Sequence, residues 1–251
     1  METAEFLSVL DREGRALATA AAEAGPGAKV PTCPEWQVRD LLRHTGAVHR
    51  WATSFVARAE PSFRPFGDPP DLDGDALLAW FREGHERLVA TLSAAPPDLE
   101  CWHFLPAPSP LAFWARRQAH ETAVHRVDAE SACGRSPEEA ARDLDPGFAA
   151  DGVDELLRGF HGRAKSRVRA EVPRVLRVRA TDAAGAAWTV RLSAGPPVTE
   201  RYVGGAGPDA DCEVSGPAAL LYLSLWNRAP FPTVTGDSAT ATLWRERSAV
   251  G

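Results

Sequence analysis

Apolar residues recur at helical spacing through the first two-thirds of the chain and switch to alternation in the last third. In residues 2–24, Phe6, Leu10, Leu17 and the pair Ala20 and Ala21 fall near a 3.6-residue period, and Gly25-Pro26-Gly27 stops the run. A second helix is expected from near Pro34, because the first helical turn has no use for the N–H that proline lacks. Its apolar face runs through Val38, Leu41, Leu42, Val48, Ala52 and Phe55. A third helix follows Asp73, a suitable cap, and carries Leu77, Leu78, Phe81, Leu88 and Leu92 as far as Ala95-Pro96-Pro97. Ser109-Pro110 opens a fourth, which ends at Gly134, and a fifth covers about 147–165. Helices of this length joined by modest loops predict a bundle of four core helices.

Near residue 166 the period changes to two. Arg174 to Thr181 alternates, Asp182-Ala183-Ala184-Gly185 is a turn signal, and Trp188 to Leu192 alternates again, which predicts a β-hairpin. Tyr202-Val203 and Cys212-Glu213-Val214 read as further short strands. Gly216-Pro217 opens an apolar helix over Ala218 to Asn227, and 240–247 fits a strand or a short helix. The expected fold class is therefore a two-domain α+β protein, with a helical bundle over 1–166 and a small α+β domain over 167–251. The Pro-rich stretches 61–70 and 95–110 read as loops, and the second leads into the fourth helix, where it could shape a pocket mouth.

Composition narrows the function without choosing it. A net charge of -6 and a pI of about 5.7 argue against non-specific nucleic-acid binding, which needs a basic surface. Lys29 and Lys165 are the only lysines, and the other basic side chains are arginine, so a single arginine carries little weight as a functional signal. The N-terminal residues lack the basic start and apolar run of a signal peptide, and no segment has the ~18 apolar residues of a membrane helix. Cys33, Cys101, Cys133 and Cys212 are widely spaced, with no C-x-x-C pair. The expectation is a cytoplasmic protein with free thiols and no nucleic-acid or membrane partner.

The candidate chemistry lies on the fourth helix. His120-Glu121-Thr122-Ala123-Val124-His125 has one residue more than the metalloprotease pattern His-Glu-x-x-His. Its two histidines stand about 140° apart around the helix and cannot easily share an ion. Glu121 and His125, four apart, do share a face, with Arg117 and Asp128 flanking it. Asp128 could orient His125 as a hydrogen-bond acceptor. His44 lies on the apolar stripe of the second helix and would point into the bundle as a third ligand, although such a histidine is equally a buried core residue. By spacing alone, Glu121 and His125 fit an exposed helical ion pair better than a ligand pair. His49 points elsewhere on its helix. His85 is a surface residue, a fourth ligand or a pocket-lining residue, His103 a pocket residue before the fourth helix, and His161 a surface residue.

Two segments bear on these alternatives. Val30-Pro-Thr-Cys-Pro-Glu-Trp-Gln-Val-Arg-Asp-Leu-Leu-Arg-His-Thr-Gly-Ala-Val-His-Arg-Trp51 resembles the N-terminal segment of the mycothiol-dependent maleylpyruvate isomerase family. Ala115 to Glu130 resembles the family's second motif. Ala180-Thr-Asp182, Trp188-Thr-Val190, Leu225-Trp-Asn-Arg228 and Thr235-Gly-Asp237 fit its C-terminal part. The resemblance implies a DinB-like four-helix bundle followed by a small domain akin to sterol-carrier folds. It implies a divalent metal, zinc foremost, held by His44, Glu121 and His125, with mycothiol as cofactor. It also implies an arginine of the C-terminal domain that matters for activity, matched here by Arg228, which is otherwise a helix-end arginine balancing the dipole.

Such a site would suit a thiolate at its open metal position, attacking a small electrophilic substrate that bears a carboxylate. The products would be those of an isomerase or a thiol transferase. Cys33, eleven residues before His44, is expected to be structural. Two other classes stay open: a hydrolase using a metal-bound water, and a non-enzymatic metal- or ligand-binding protein.

Overall fold

The computed structural model describes residues 1–202 and 209–250, which divide into two compact units, Met1–Ser136 and Pro137–Gly251. The first unit is the expected bundle of four long helices: α1 (Thr3–Ala24), α2 (Val38–Arg58), α3 (Gly74–Ala94) and α4 (Pro110–Ala132). In cross-section α1 packs on α3 and α4, α2 packs on the same two, and the diagonal pairs barely touch. Ser109 caps α4 by accepting a hydrogen bond from the Ala112 amide at 3.1 Å, with Pro110 in the first turn.

The second helix starts at Val38, four residues later than its proline suggested. Residues 29–37 form a clip instead: the Cys33 amide bonds to the Val30 carbonyl, the Trp36 amide to that of Cys33, and the Val30 amide to that of Trp36. Gln37 then caps α2 in a reciprocal pair with Asp40.

Helix α4 is the centre of the bundle and is buried nearly all round, so its polar side chains must find partners inside the protein. Arg126 meets Glu13 of α1 at 2.8 Å and Glu130 at 2.7 Å, with both Arg126 and Glu13 fully buried. His85, expected at the surface or as a ligand, is buried against α1, and its Nε2 lies 3.0 Å from the Leu10 carbonyl oxygen. Only glycine at position 14 permits this, because a Cβ there would stand 2.2 Å from the His85 ring nitrogen. Burial, the largest influence, lowers the His85 pKa.

The second unit contains α5 (Pro137–Ala141) and α6 (Pro146–Asp154), whose path continues as a wider π-helical stretch, Glu155–Phe160. A mixed five-stranded sheet follows, ordered β3-β2-β1-β4-β5, from β1 (Arg174–Ala180), β2 (Ala187–Leu192), β3 (Val198–Tyr202), β4 (Cys212–Gly216) and β5 (Thr233–Gly236). The predicted hairpin is β1 and β2, paired with Val178 opposite Trp188, while β1 and β4 run parallel. Helix α7 (Ala218–Leu225) lies between β4 and β5 in sequence. The stretch 240–247 falls in a helix, α8 (Ser238–Arg247), and strand β5 was not expected. Of the expected strand at Tyr202-Val203, Val203 lies outside the described residues.

The division at 136/137 differs from the boundary expected near 166, because the 146–160 helix belongs to the sheet's core. Phe148 packs edge-on against Tyr222, and the Trp188 indole N–H donates to Asp154 at 3.0 Å. His161, expected at the surface, is buried against Trp244, and burial pushes its pKa down to about 4. Among the described residues no helix is long and apolar enough to cross a membrane.

Candidate metal centre

His44 from α2 and Glu121 and His125 from α4 come together on the seam between those helices. One donor atom from each lies within 4.8 Å of the others, and among the described residues this is the group able to hold an ion. Glu121 Oε1 is the hub, 3.3 Å from His44 Nε2 and 3.2 Å from His125 Nε2. Its other oxygen accepts from the buried Arg117 guanidinium at 3.0 Å. Burial works against the Glu121 carboxylate, but hydrogen bonds from His125 and His44 and the charges of His125 and Arg117 hold its pKa well below the usual range.

His125 is fixed from behind. Its Nδ1 lies 2.8 Å from Asp128 Oδ2, and Asp128 is fully buried. Asp128 also accepts from Thr32 Oγ1 at 2.6 Å and lies 3.6 Å from Cys33 Sγ. The clip of residues 29–37 therefore holds the carboxylate that orients the imidazole, and leaves Nε2 as the ring nitrogen facing Glu121 and His44. Trp36 completes the wall: its ring stacks on His125 at 5.9 Å and tilts over His44 at 5.0 Å.

Two expectations change. His44 does not point into the core, since 41% of its side chain is exposed. It sits at the edge of the buried stripe of Leu41, Thr45 and Val48, so its ring leans across the seam toward α4 and the group has an open side. Glu121 is 21% exposed and keeps a second histidine partner, so it is not a bare surface pair with His125. Cys33, expected to be structural and near enough to the site to reach it, has its Sγ 3.6 Å from the Asp128 carboxylate.

The other histidines stay apart from the group. His120 is buried against Phe6, His49 Nε2 lies 2.9 Å from Thr122 Oγ1, and His103 packs on Phe113. Arg228 is half-buried in the second unit just past α7, its guanidinium donating to the Trp226 carbonyl at 2.8 Å. Thr32 and Trp36 were missed as site residues. They stand inside the segment that carries the family resemblance, but nothing in their spacing shows that the clip folds back onto α4.

The donor set fits a zinc-type ion: two imidazole nitrogens and one ionised carboxylate, with an outer carboxylate fixing one ring. His125 carries a consequence for pH. Burial alone would lower its pKa, but Asp128 and Glu121, by hydrogen bonds and charge, raise it to about 9. A ligand imidazole must be neutral, so metal uptake below about pH 9 displaces a proton. Metal affinity should rise with pH and flatten above about 9. Asp128→Asn removes the anchor of the ring, which should weaken binding by about 10–100-fold above pH 9, and also removes one raising charge, which reduces proton release and narrows the loss at lower pH. Calorimetry in buffers of different ionisation heat reads both quantities, and an unchanged affinity and proton count would contradict the role given to Asp128.

Fold and site define a two-domain protein, a helical bundle bearing a histidine–carboxylate group on one seam, followed by a mixed-sheet domain. The mycothiol maleylpyruvate isomerase N-terminal domain model matches residues 7–130, and the MDMPI C-terminal domain model matches residues 147–243. The chain belongs to the mycothiol-dependent maleylpyruvate isomerase family and is an enzyme of that type. Its fold is similar to the crystal structure of a histidine-to-alanine mutant of mycothiol-dependent maleylpyruvate isomerase. The TM-score is 0.63 at 14% identity, over 94% of this chain and 93% of that one. No curated protein sequence matches the chain.

Proposed function

We propose that this enzyme uses a divalent metal, zinc foremost, and mycothiol to isomerise or transfer onto a small electrophilic, carboxylate-bearing substrate. The observation that carries this is the convergence of His44, Glu121 and His125, in a family whose very name includes the thiol. When bound, the cation supplies positive charge that favours the thiolate of the cofactor over its thiol at neutral pH.

The chain's own residues do the rest. His44, Glu121 and His125 hold the ion, Arg117 keeps the Glu121 carboxylate in place, and Asp128 fixes the His125 ring. No protein cysteine is required as nucleophile. Arg228 is assigned to the substrate carboxylate, which a guanidinium grips at two points, and such gripping supplies orientation. Mycothiol, when bound, would supply a nucleophilic sulfur, the chemistry that both isomerisation of a conjugated double bond and displacement of a leaving group call for.

Cobalt-substituted protein titrated with mycothiol tests this. A sulfur-to-cobalt charge-transfer band should appear and saturate at one thiol per chain. A protein that binds cobalt but shows no band with mycothiol or any other small thiol contradicts the reading and leaves a hydrolase or a binding protein.

A further inference from the structure

The same helical seam that carries the His–Glu–His group ends in a box of aromatic rings. Trp51 is seven residues beyond His44 on α2, and Trp114 seven residues before Glu121 on α4. Seven residues is close to two turns, so each tryptophan shares a face with its site residue, about 10 Å along the helix. The two rings meet at 5.3 Å. The loops that follow α2 and precede α4 add to them: Phe66 stacks on Trp51 at 4.4 Å, Phe63 lies on Trp102 at 5.3 Å, and Phe104 sits 5.6 Å from Trp102. Phe63 and Phe66 are 58% and 51% exposed, an unusual outlay of apolar surface on a loop.

Two of the three tryptophan indole N–H groups here are already used. The Trp51 indole N–H donates to the Arg64 carbonyl at 2.7 Å, and that of Trp114 to the Trp102 carbonyl at 3.0 Å. The Arg64 guanidinium is paired with Glu60 at 2.6 Å. What the box chiefly presents to a ligand is ring faces and edges, which recognise apolar and aromatic groups. Phe63 lies between two anchors of its loop, the Trp102 amide on the Glu60 carbonyl at 2.7 Å and the Trp51 bond to Arg64, and Phe66, two residues past the second, is held by its stacking on Trp51. Through Trp51 and Trp114 this box stands on the same helix faces as His44 and Glu121.

We infer that the Trp51–Phe66–Trp102 box is a substrate subsite, and that the electrophile taken by this enzyme carries an aromatic or bulky apolar group about two helical turns from its reacting carbon. The inference rests on the thiolate reading above. It sets this chain apart from an enzyme confined to small, purely anionic substrates.

A chemical ruler tests it. Cobalt-substituted protein is titrated with butanethiol and with phenylbutanethiol, the same chain ending in a phenyl ring. The phenyl thiol should bind about tenfold or more tightly than butanethiol, the scale expected for burying a ring. Phe63→Ala with Phe66→Ala, both exposed positions that leave the core intact, should remove most of that advantage. Equal affinities in the wild type, or an advantage unchanged in the double variant, overturn the inference. If neither thiol gives a cobalt band, the thiolate reading fails instead. The box is then judged with phenylbutanol, which must shift the Trp51 indole resonance, identified by its loss in Trp51→Phe; no shift overturns the inference. Sedimentation separates the rival occupant: a wild-type dimer that the double variant converts to monomer would show that a second copy covers the box, and would overturn it too.

Discussion

Glu121→Ala should purify without stoichiometric metal, with divalent-ion affinity reduced by more than about 100-fold, beyond what the loss of an outer hydrogen-bond partner costs. Two effects add. The variant loses the oxygen that both histidine Nε2 atoms face at 3.2 and 3.3 Å. It also leaves the Arg117 guanidinium, only 4% exposed, without the Glu121 carboxylate. A fixed positive charge beside the two imidazoles then repels the incoming dication. Metal analysis after dialysis against a competing chelator measures this. A variant that still holds one ion per chain would mean that the ligands lie elsewhere.

Arg126→Ala should cost about 3 kcal/mol in urea unfolding of the bundle, because it removes the buried partner of Glu13 and leaves that carboxylate to the half-exposed Arg12 guanidinium at 2.9 Å. Arg126 bridges α1 and α4 through Glu13 and Glu130, and its side chain and that of Glu13 are 1% and 3% exposed. Replacing the pair together, Glu13→Leu with Arg126→Met, should restore most of the stability, since the buried carboxylate and guanidinium then leave together, Glu130 keeps Arg135 at 3.0 Å, and Arg12 is exposed enough for water to solvate it. A single variant that loses less than about 1 kcal/mol would show that Arg12 alone compensates the Glu13 carboxylate.

Arg126 also marks where the sequence stops being legible. Its helix is evident from the cap at Ser109-Pro110, yet among so many arginines no single one stands out as a signal. Spacing tells which side chains share a face of one helix, and it placed Glu121 with His125 correctly while excluding His120. It does not tell which helix lies opposite. That limit explains His85, which finds an acceptor in the Leu10 carbonyl only because Gly14 leaves room for the ring, and His161, which Trp244 covers from the other end of its domain. It explains the domain boundary as well: Phe148 and Asp154 sit on a helix with bundle-like periodicity, but their partners Tyr222 and Trp188 come from later in the chain. The clip of residues 29–37 was read as the start of α2 because proline fits both. Its real role, holding Asp128 through Thr32 and walling the histidines with Trp36, depends on a contact 96 residues away in sequence. What was legible came from period and from the family's motifs, and what was not came from long-range partners of buried polar groups.

The central claim is that His44, Glu121 and His125 hold an ion whose remaining position takes a thiol. X-ray absorption on zinc-loaded protein, before and after adding mycothiol, addresses it directly. Without the thiol the account predicts a shell of nitrogen and oxygen neighbours at about 2.0–2.1 Å and no sulfur. With it, one sulfur neighbour should appear at about 2.3 Å while the imidazole scattering persists. A spectrum with no sulfur shell at saturating mycothiol, or one in which the imidazole signal is missing from the start, would contradict the account.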